Sequence, residues 1–142
     1  MDLSKYTDCI KVKSTLEMYD AVLANCPKAD YIIMAAAPSD YRVSEVASHK
    51  IKSEKLTLEL VKNPDIAAAV GAIKQDKKLV IFSAETEDLI ANAKSKLQRK
   101  NADMVVANDV TKEGAGFNVD TNIVSIISGN KIENFSIIHF QC

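Results

Sequence analysis

Three short apolar runs punctuate the chain: Tyr31-Ile32-Ile33-Met34-Ala35-Ala36, then Leu79-Val80-Ile81-Phe82, then Met104-Val105-Val106-Ala107 after Asp103. Continuous apolar runs of this length suit strands buried on both faces, as in parallel sheets. Parallel neighbours need long crossovers, which helices supply. Stretches that read as helices do lie between the runs. The pattern confines the chain to an α/β class with a mainly parallel sheet.

The helices announce their own ends. Ser14-Thr15-Leu16-Glu17 matches a capping box, and Leu16, Tyr19, Ala21, Val22 and Leu23 continue it with helical spacing. Cys26-Pro27 closes that helix, because proline disfavours helical geometry in the residue before it. Pro64 opens a second helix that continues over residues 66–73. Thr86 is the expected cap of a third, running to about Lys100. Leu56-Thr57-Leu58-Glu59-Leu60-Val61 alternates and reads as a further strand. Residues 37–54 are polar and irregular, a long loop of the kind that usually carries function. Gly114 and Gly116 mark a turn. Residues 123–127 and 133–140 are strand-like, with Gly129-Asn130 as the hairpin turn between them, which predicts an antiparallel C-terminal extension.

A length of 142 residues suits one domain with one core, and no linker divides it. The net charge of -1 does not favour a general polyanion surface, so nucleic acid is not an expected partner. No apolar run reaches the length of a membrane span. The opening MDLSKYTDCIKVK resembles neither a signal nor a transit peptide, so the cytoplasm is the expected compartment. Cys9, Cys26 and Cys142 are widely spaced, form no CxxC pair, and read as reduced thiols rather than zinc ligands.

In open α/β sheets ligands bind beyond the carboxyl ends of the strands. Residues 36–52, 63–66, 82–86 and 108–109 fall there. With four glycines in all, the chain has no GxGxxG and no GxxxxGK[ST], which argues against a dinucleotide oxidoreductase. Lys50-Ile51-Lys52 places two ammonium groups on one side of an extended segment, suited either to a triphosphate or to a solvated loop. Lys96 and Lys100 share a helical face, where they clamp phosphates or complement the helix dipole. Asp40 suits ribose hydroxyls, a metal or an Asx-turn. Asn63-Pro64-Asp65 is a ligand contact or simply a helix start. Phe82 reads as core on pattern alone, and His49 is a loop histidine without an identifiable partner.

In order along the chain stand Ala35-Ala36-Ala37-Pro38-Ser39-Asp40-Tyr41-Arg42, Lys50-Ile51-Lys52, Lys62-Asn63-Pro64-Asp65-Ile66 and Phe82-Ser83-Ala84-Glu85-Thr86. Lys96 and Lys100 follow, then Ala107-Asn108-Asp109, and Gly116-Phe117-Asn118 with Asp120 and Asn122. The set resembles the bacterial phosphopantothenate–cysteine ligases over nearly the whole chain. The resemblance implies a Rossmann-like three-layer α/β sandwich, a homodimer, and Mg²⁺-assisted use of CTP. The implied reaction joins 4′-phosphopantothenate to cysteine through an acyl-cytidylate, in coenzyme A synthesis. By motif, Lys50 is the implied catalytic lysine. Ala36, Ala37, Asp40, Lys52, Asn63, Pro64, Asp65, Ile66 and Phe82 are implied contacts around CTP, and Lys96 and Lys100 are implied triphosphate ligands. The antiparallel end is the implied dimer surface, and a flavin-dependent decarboxylase is often fused upstream.

The sequence also departs from the family. Its Gly-rich first strand and an asparagine-bearing segment for the acyl substrate have no counterpart here, nor has the usual C-terminal helix. Ser83 replaces a usual alanine, and Ile81 the glycine before the phenylalanine. Residues 1–142 are therefore expected to form a single nucleotide-binding ligase domain, truncated at its N-terminal side. The competing expectation is a non-catalytic nucleotide-binding or interaction module that retains the CTP pocket.

Overall fold

The computed structural model describes residues 8–111 and 121–139. Helix α1 spans Thr15–Asn25, α2 Ile66–Ile73 and α3 Leu89–Arg99. The strands are β1 (Tyr31–Met34), β2 (Tyr41–Val43), β3 (Leu60–Lys62), β4 (Lys78–Glu85), β5 (Met104–Asp109), β6 (Thr121–Ser128) and β7 (Lys131–His139). Five of them form one sheet in the order β1-β4-β5-β6-β7, parallel through β5 and antiparallel from there on. This is the α/β class expected, with its antiparallel end closed by a two-residue turn. Gly129 holds that turn at φ +57°, a conformation that costs glycine little.

The capping box at α1 is present. Ser14 Oγ accepts from the Glu17 N–H at 3.2 Å, and a Glu17 carboxylate oxygen accepts from the Lys13 N–H at 2.7 Å. The return bond thus falls one residue outside the usual position. The helix ends at Asn25, and Cys26–Lys28 forms one turn of 3-10 helix around Pro27.

Alternate residues of the sheet build the core. Leu79, Ile81, Val105, Ala107 and Ile127 meet Ile66, Ala67 and Val70 of α2 and Ala93 of α3, with Met18, Tyr19, Val22 and Leu23 of α1 against them. Among the described residues the three helices therefore cover one and the same face. On the other face Tyr31 is 71% exposed, Ile33 66% and Phe82 45%. The expectation that the first apolar run is buried on both faces is corrected here. In the described chain β1 is an edge strand flanked only by β4, and no described helix lies over its second face.

Several expected boundaries move. The alternating run at 56–61 pairs only over Leu60–Lys62, because its partner β2 is three residues long, and Leu56 and Leu58 stay exposed. That partner lies inside the stretch expected to be irregular. Strand β4 runs on to Glu85, since β5 pairs with it as far as Glu85↔Asp109. The cap of α3 is Asp88 rather than Thr86. Asp88 adopts φ 46°, ψ 42°, the left-handed region that Asp tolerates better than most residues, and makes no side-chain cap bond. The Gly114 and Gly116 turn, the Gly116-Phe117-Asn118 motif with Asp120, and Phe140 and Cys142 lie outside the described residues.

Two contacts set the relation between helices and sheet. A Cβ at Gly71 would lie 1.9 Å from the Lys100 carbonyl oxygen, so glycine lets α2 meet the end of α3 backbone to backbone. Asn101 Nδ2 donates to the Gly71 carbonyl at 2.8 Å across the same contact. One helical turn further on, buried Lys74 pairs with Asp103 at 2.9 Å, and Asp103 also accepts the Leu79 N–H at 2.9 Å.

Candidate functional site

Register creates an opening. Strand β1 stops at Met34, opposite Ile81, whereas β4 continues through Phe82 to Glu85 with no described strand on that side. A cleft of about 420 Å³ lies over this step. One wall is the segment after β1, with Ala36, Pro38, Ser39 and Asp40. A second is the β3–α2 junction, with Lys62, Asn63, Pro64, Asp65 and Ile66. The third is α3, with Lys96, Arg99 and Lys100. Phe82 and Ile81 form its inner side.

The first two walls are tied together by Asn63, which is 7% exposed. Its Nδ2 donates to the Ser39 carbonyl at 2.8 Å, its N–H donates to the Asp40 carbonyl at 2.8 Å, and its Oδ1 accepts from Arg42 Nη1 at 3.2 Å. Asn63 is therefore the clamp of the cleft and not the helix cap. The cap of α2 is Asp65, whose Oδ1 accepts the Ala68 N–H at 3.0 Å. The positive end of α2 thus faces the cleft through a capped first turn.

Charge gathers on the α3 wall. Lys100 Nζ reaches Asp65 Oδ1 at 3.2 Å and joins the ends of the two helices. Burial alone would raise the Asp65 carboxyl, but the Ala68 N–H, the Lys100 ammonium and Arg99 hold it below its ordinary value. Lys96 Nζ donates to Glu85 Oε1 at 2.6 Å and to Ser83 Oγ at 2.5 Å. Burial pushes the Glu85 carboxyl up, and the Lys96 and Ser83 hydrogen bonds more than offset it, so the net direction is down. With Lys62, Arg99 and Lys100 also present, the cleft carries more basic than acidic groups, the complement of an anionic ligand of nucleotide size.

A family model described as the DNA/pantothenate metabolism flavoprotein C-terminal domain matches residues 2–139. The chain belongs to this family. Within the flavoprotein C-terminal domain family it is similar to the Coenzyme A biosynthesis bifunctional protein CoaBC of Vibrio cholerae, 44% identical over 122 residues, which are 82% of this chain and 31% of that protein. The CoaBC of Bacillus subtilis is 43% identical over 128 residues, 87% of this chain and 32% of its own length. The chain thus spans about a third of the curated relatives it matches. Among solved structures, the crystallised C-terminal domain of a CoaBC superposes with a TM-score of 0.72 at 29% identity, covering 91% of this chain and 56% of that one.

Of the residues singled out in the sequence, Ala36, Asp40, Asn63, Pro64, Asp65, Ile66, Phe82, Lys96 and Lys100 line the one cleft. Ala37, Lys50 and Lys52 do not line it. Lys50 and Lys52 are exposed in the excursion between β2 and β3, beside exposed His49. Arg99 was missed, although its place three residues after Lys96 on the same helix put it within reach of the same periodic argument. Ser83 and Glu85 fall in the expected 82–86 segment but were not singled out, because a polar residue after an apolar run reads as the start of a loop, whereas here β5 carries the strand past them. No helix among the described residues is long and apolar enough to cross a membrane.

Proposed function

We propose that this domain binds CTP in the β1–β4 cleft and, within the longer protein, joins 4′-phosphopantothenate to cysteine in coenzyme A synthesis. The observation that carries the reading is the convergence of four separate sequence segments on one basic cleft at the carboxyl ends of the parallel strands. Ala36 and Asp40 serve the base and sugar side with Ala37 beside them on the same segment, Asn63, Pro64, Asp65, Ile66 and Phe82 surround the nucleotide, and Lys96 and Lys100 take phosphates, joined by Lys52 from the excursion outside the cleft.

The chemistry asks little covalent work of the protein. The 4′-phosphopantothenate carboxylate attacks the α-phosphorus of CTP, an O–P bond forms, and pyrophosphate leaves. The amine of cysteine then attacks the acyl carbon, a C–N bond forms, and CMP and a proton depart. Charge grows on the α-phosphoryl oxygens and on pyrophosphate, and fixed ammonium groups stabilise both. Lys50 is assigned to the transition state, which its excursion must approach from outside the cleft, excluding water from the acyl-cytidylate as it does so. Among the described residues no three His, Cys, Asp or Glu side chains converge to cage a metal. Asp40 and Asp65 are the cleft carboxylates able to assist Mg²⁺ carried on the phosphates, whose charge it would screen. A homodimer, a flavin-dependent decarboxylase partner and the cytoplasm belong to the same reading. The free thiols of Cys9 and Cys26 suit that reducing compartment.

Calorimetric titration of the chain with CTP and with ATP, each with Mg²⁺, tests the assignment. Tighter binding of CTP, weakened by Asp40→Ala, is the expected result, and equal or absent binding of the two nucleotides removes it. In the full-length ligase Lys50→Ala is expected to lower kcat far more than CTP affinity; equal losses in both would end its transition-state role.

A further inference from the structure

Behind the α3 wall, Lys96, Glu85 and Ser83 bond to one another in a closed ring. Ser83 Oγ–H donates to Glu85 Oε1 at 2.5 Å, and Lys96 Nζ donates to both of those oxygens. Ser83 is 5% exposed and Glu85 9%, and neither lines the cleft, whereas Lys96 does. The β4 register explains the arrangement. Ser83 and Glu85 are two residues apart on a strand, so both point to the helix-covered face beneath α3.

We infer that Glu85 and Ser83 are positioning residues for Lys96, holding its ammonium group at the cleft wall ready for a phosphate oxygen. An ammonium has three N–H donors. The ring uses two, which leaves the third for a ligand. A free lysine side chain surrenders about 2 kcal/mol of rotamer entropy when it is fixed, and here the strand fixes it before any ligand arrives. That is preorganisation, which strengthens binding by removing a cost rather than by adding a contact. A carboxylate within reach of a phosphate would otherwise repel it. Burial behind Lys96 keeps Glu85 out of the cleft, and the ammonium stands between the two anions. Ser83, where the resembling family usually has alanine, adds one more tether to the same nitrogen.

The inference deepens the nucleotide reading and rests on its anionic ligand, but not on the choice of base. It is tested by calorimetry on the full chain with tripolyphosphate, with CTP and ATP run in parallel. Glu85→Gln is expected to weaken tripolyphosphate binding roughly tenfold and Ser83→Ala roughly threefold. Neither change should weaken it further once Lys96→Ala is present, an outcome that a merely structural role would not give. Binding by Glu85→Gln that is unchanged or tighter, or losses that multiply with that of Lys96→Ala, would overturn the inference. If Glu85→Gln does not fold, judged by its denaturant midpoint, Ser83→Ala carries the same cycle. Tripolyphosphate binding that depends on Glu85 without preference for CTP over ATP upholds the inference and sinks the CTP reading. No binding of any of the three by the unaltered chain sinks both.

Discussion

Asn63 shows how much one side chain can decide. Its amide bridges two segments that share no strand pairing with the main sheet, the loop after β1 and the end of β3. Replacing it by alanine leaves the Ser39 carbonyl and Arg42 short of partners, and losses of this kind cost about 1–3 kcal/mol. Asn63→Ala is therefore expected to lower the denaturant midpoint and, through the released loop, to weaken nucleotide binding; an unchanged midpoint would refute the clamp. The acidic groups make a second prediction. Asp65, Asp103 and Glu85 all have carboxyls below their ordinary values of 3.8, 3.8 and 4.5, because hydrogen bonds and ammonium neighbours outweigh burial. The unfolded chain then takes up protons first as pH falls. Their stabilisation is complete above the ordinary values and disappears as pH drops through the lower folded ones. The melting temperature should hold from neutrality to about pH 5 and fall below it, and Asp103→Asn should flatten that fall. At this scale the sequence was informative about which residues matter and less so about what they do. Asn63 and Asp65 stood out as a pair, but only coordinates separate a clamp from a cap.

At the scale of elements, periodicity located α1, a proline and a candidate cap located α2 and α3, and continuous apolar runs located the central strands. Ends were harder. Strand β4 outlasts its apolar run because a neighbour pairs with Ser83, Ala84 and Glu85, and that neighbour lies more than 20 residues away in the chain. Helix α3 begins at a left-handed Asp88, a cap with no side-chain bond to foretell it. The contact of α2 with α3 was equally invisible, since a glycine within a helical pattern gives no hint of what faces it. Gly71→Ala would ordinarily favour a helix by nearly 1 kcal/mol. Here the added methyl meets the Lys100 carbonyl, and overpacking of this kind costs about 1–3 kcal/mol. A net drop in the denaturant midpoint is expected, and a rise would show that the helices part easily.

For the molecule as a whole, the class of fold and the neighbourhood of the cleft were legible from apolar runs followed by polar segments. The uneven burial of the sheet was not. A buried strand and a strand with one bare face carry the same apolar sequence, and which one results depends on what packs above. Tyr31 and Ile33 contribute little to the core on the described face, so Tyr31→Lys and Ile33→Lys should shift stability by no more than about 0.5 kcal/mol while reducing binding of a hydrophobic dye. A large loss of stability would mean that this face is covered in solution.

Lys100 touches α2 twice, through its carbonyl at Gly71 and through its ammonium at Asp65. One contact is main chain and the other an ion pair, and they lie at different points along the same helix. Two fixed points on one short helix remove its freedom to swing against its neighbour. Helices α2 and α3 therefore form one side of the cleft, with the first turn of one set against the basic row of the other. Asn63, two residues before the Asp65 cap, fastens the loop after β1 to this same unit, so the three walls of the cleft share one framework.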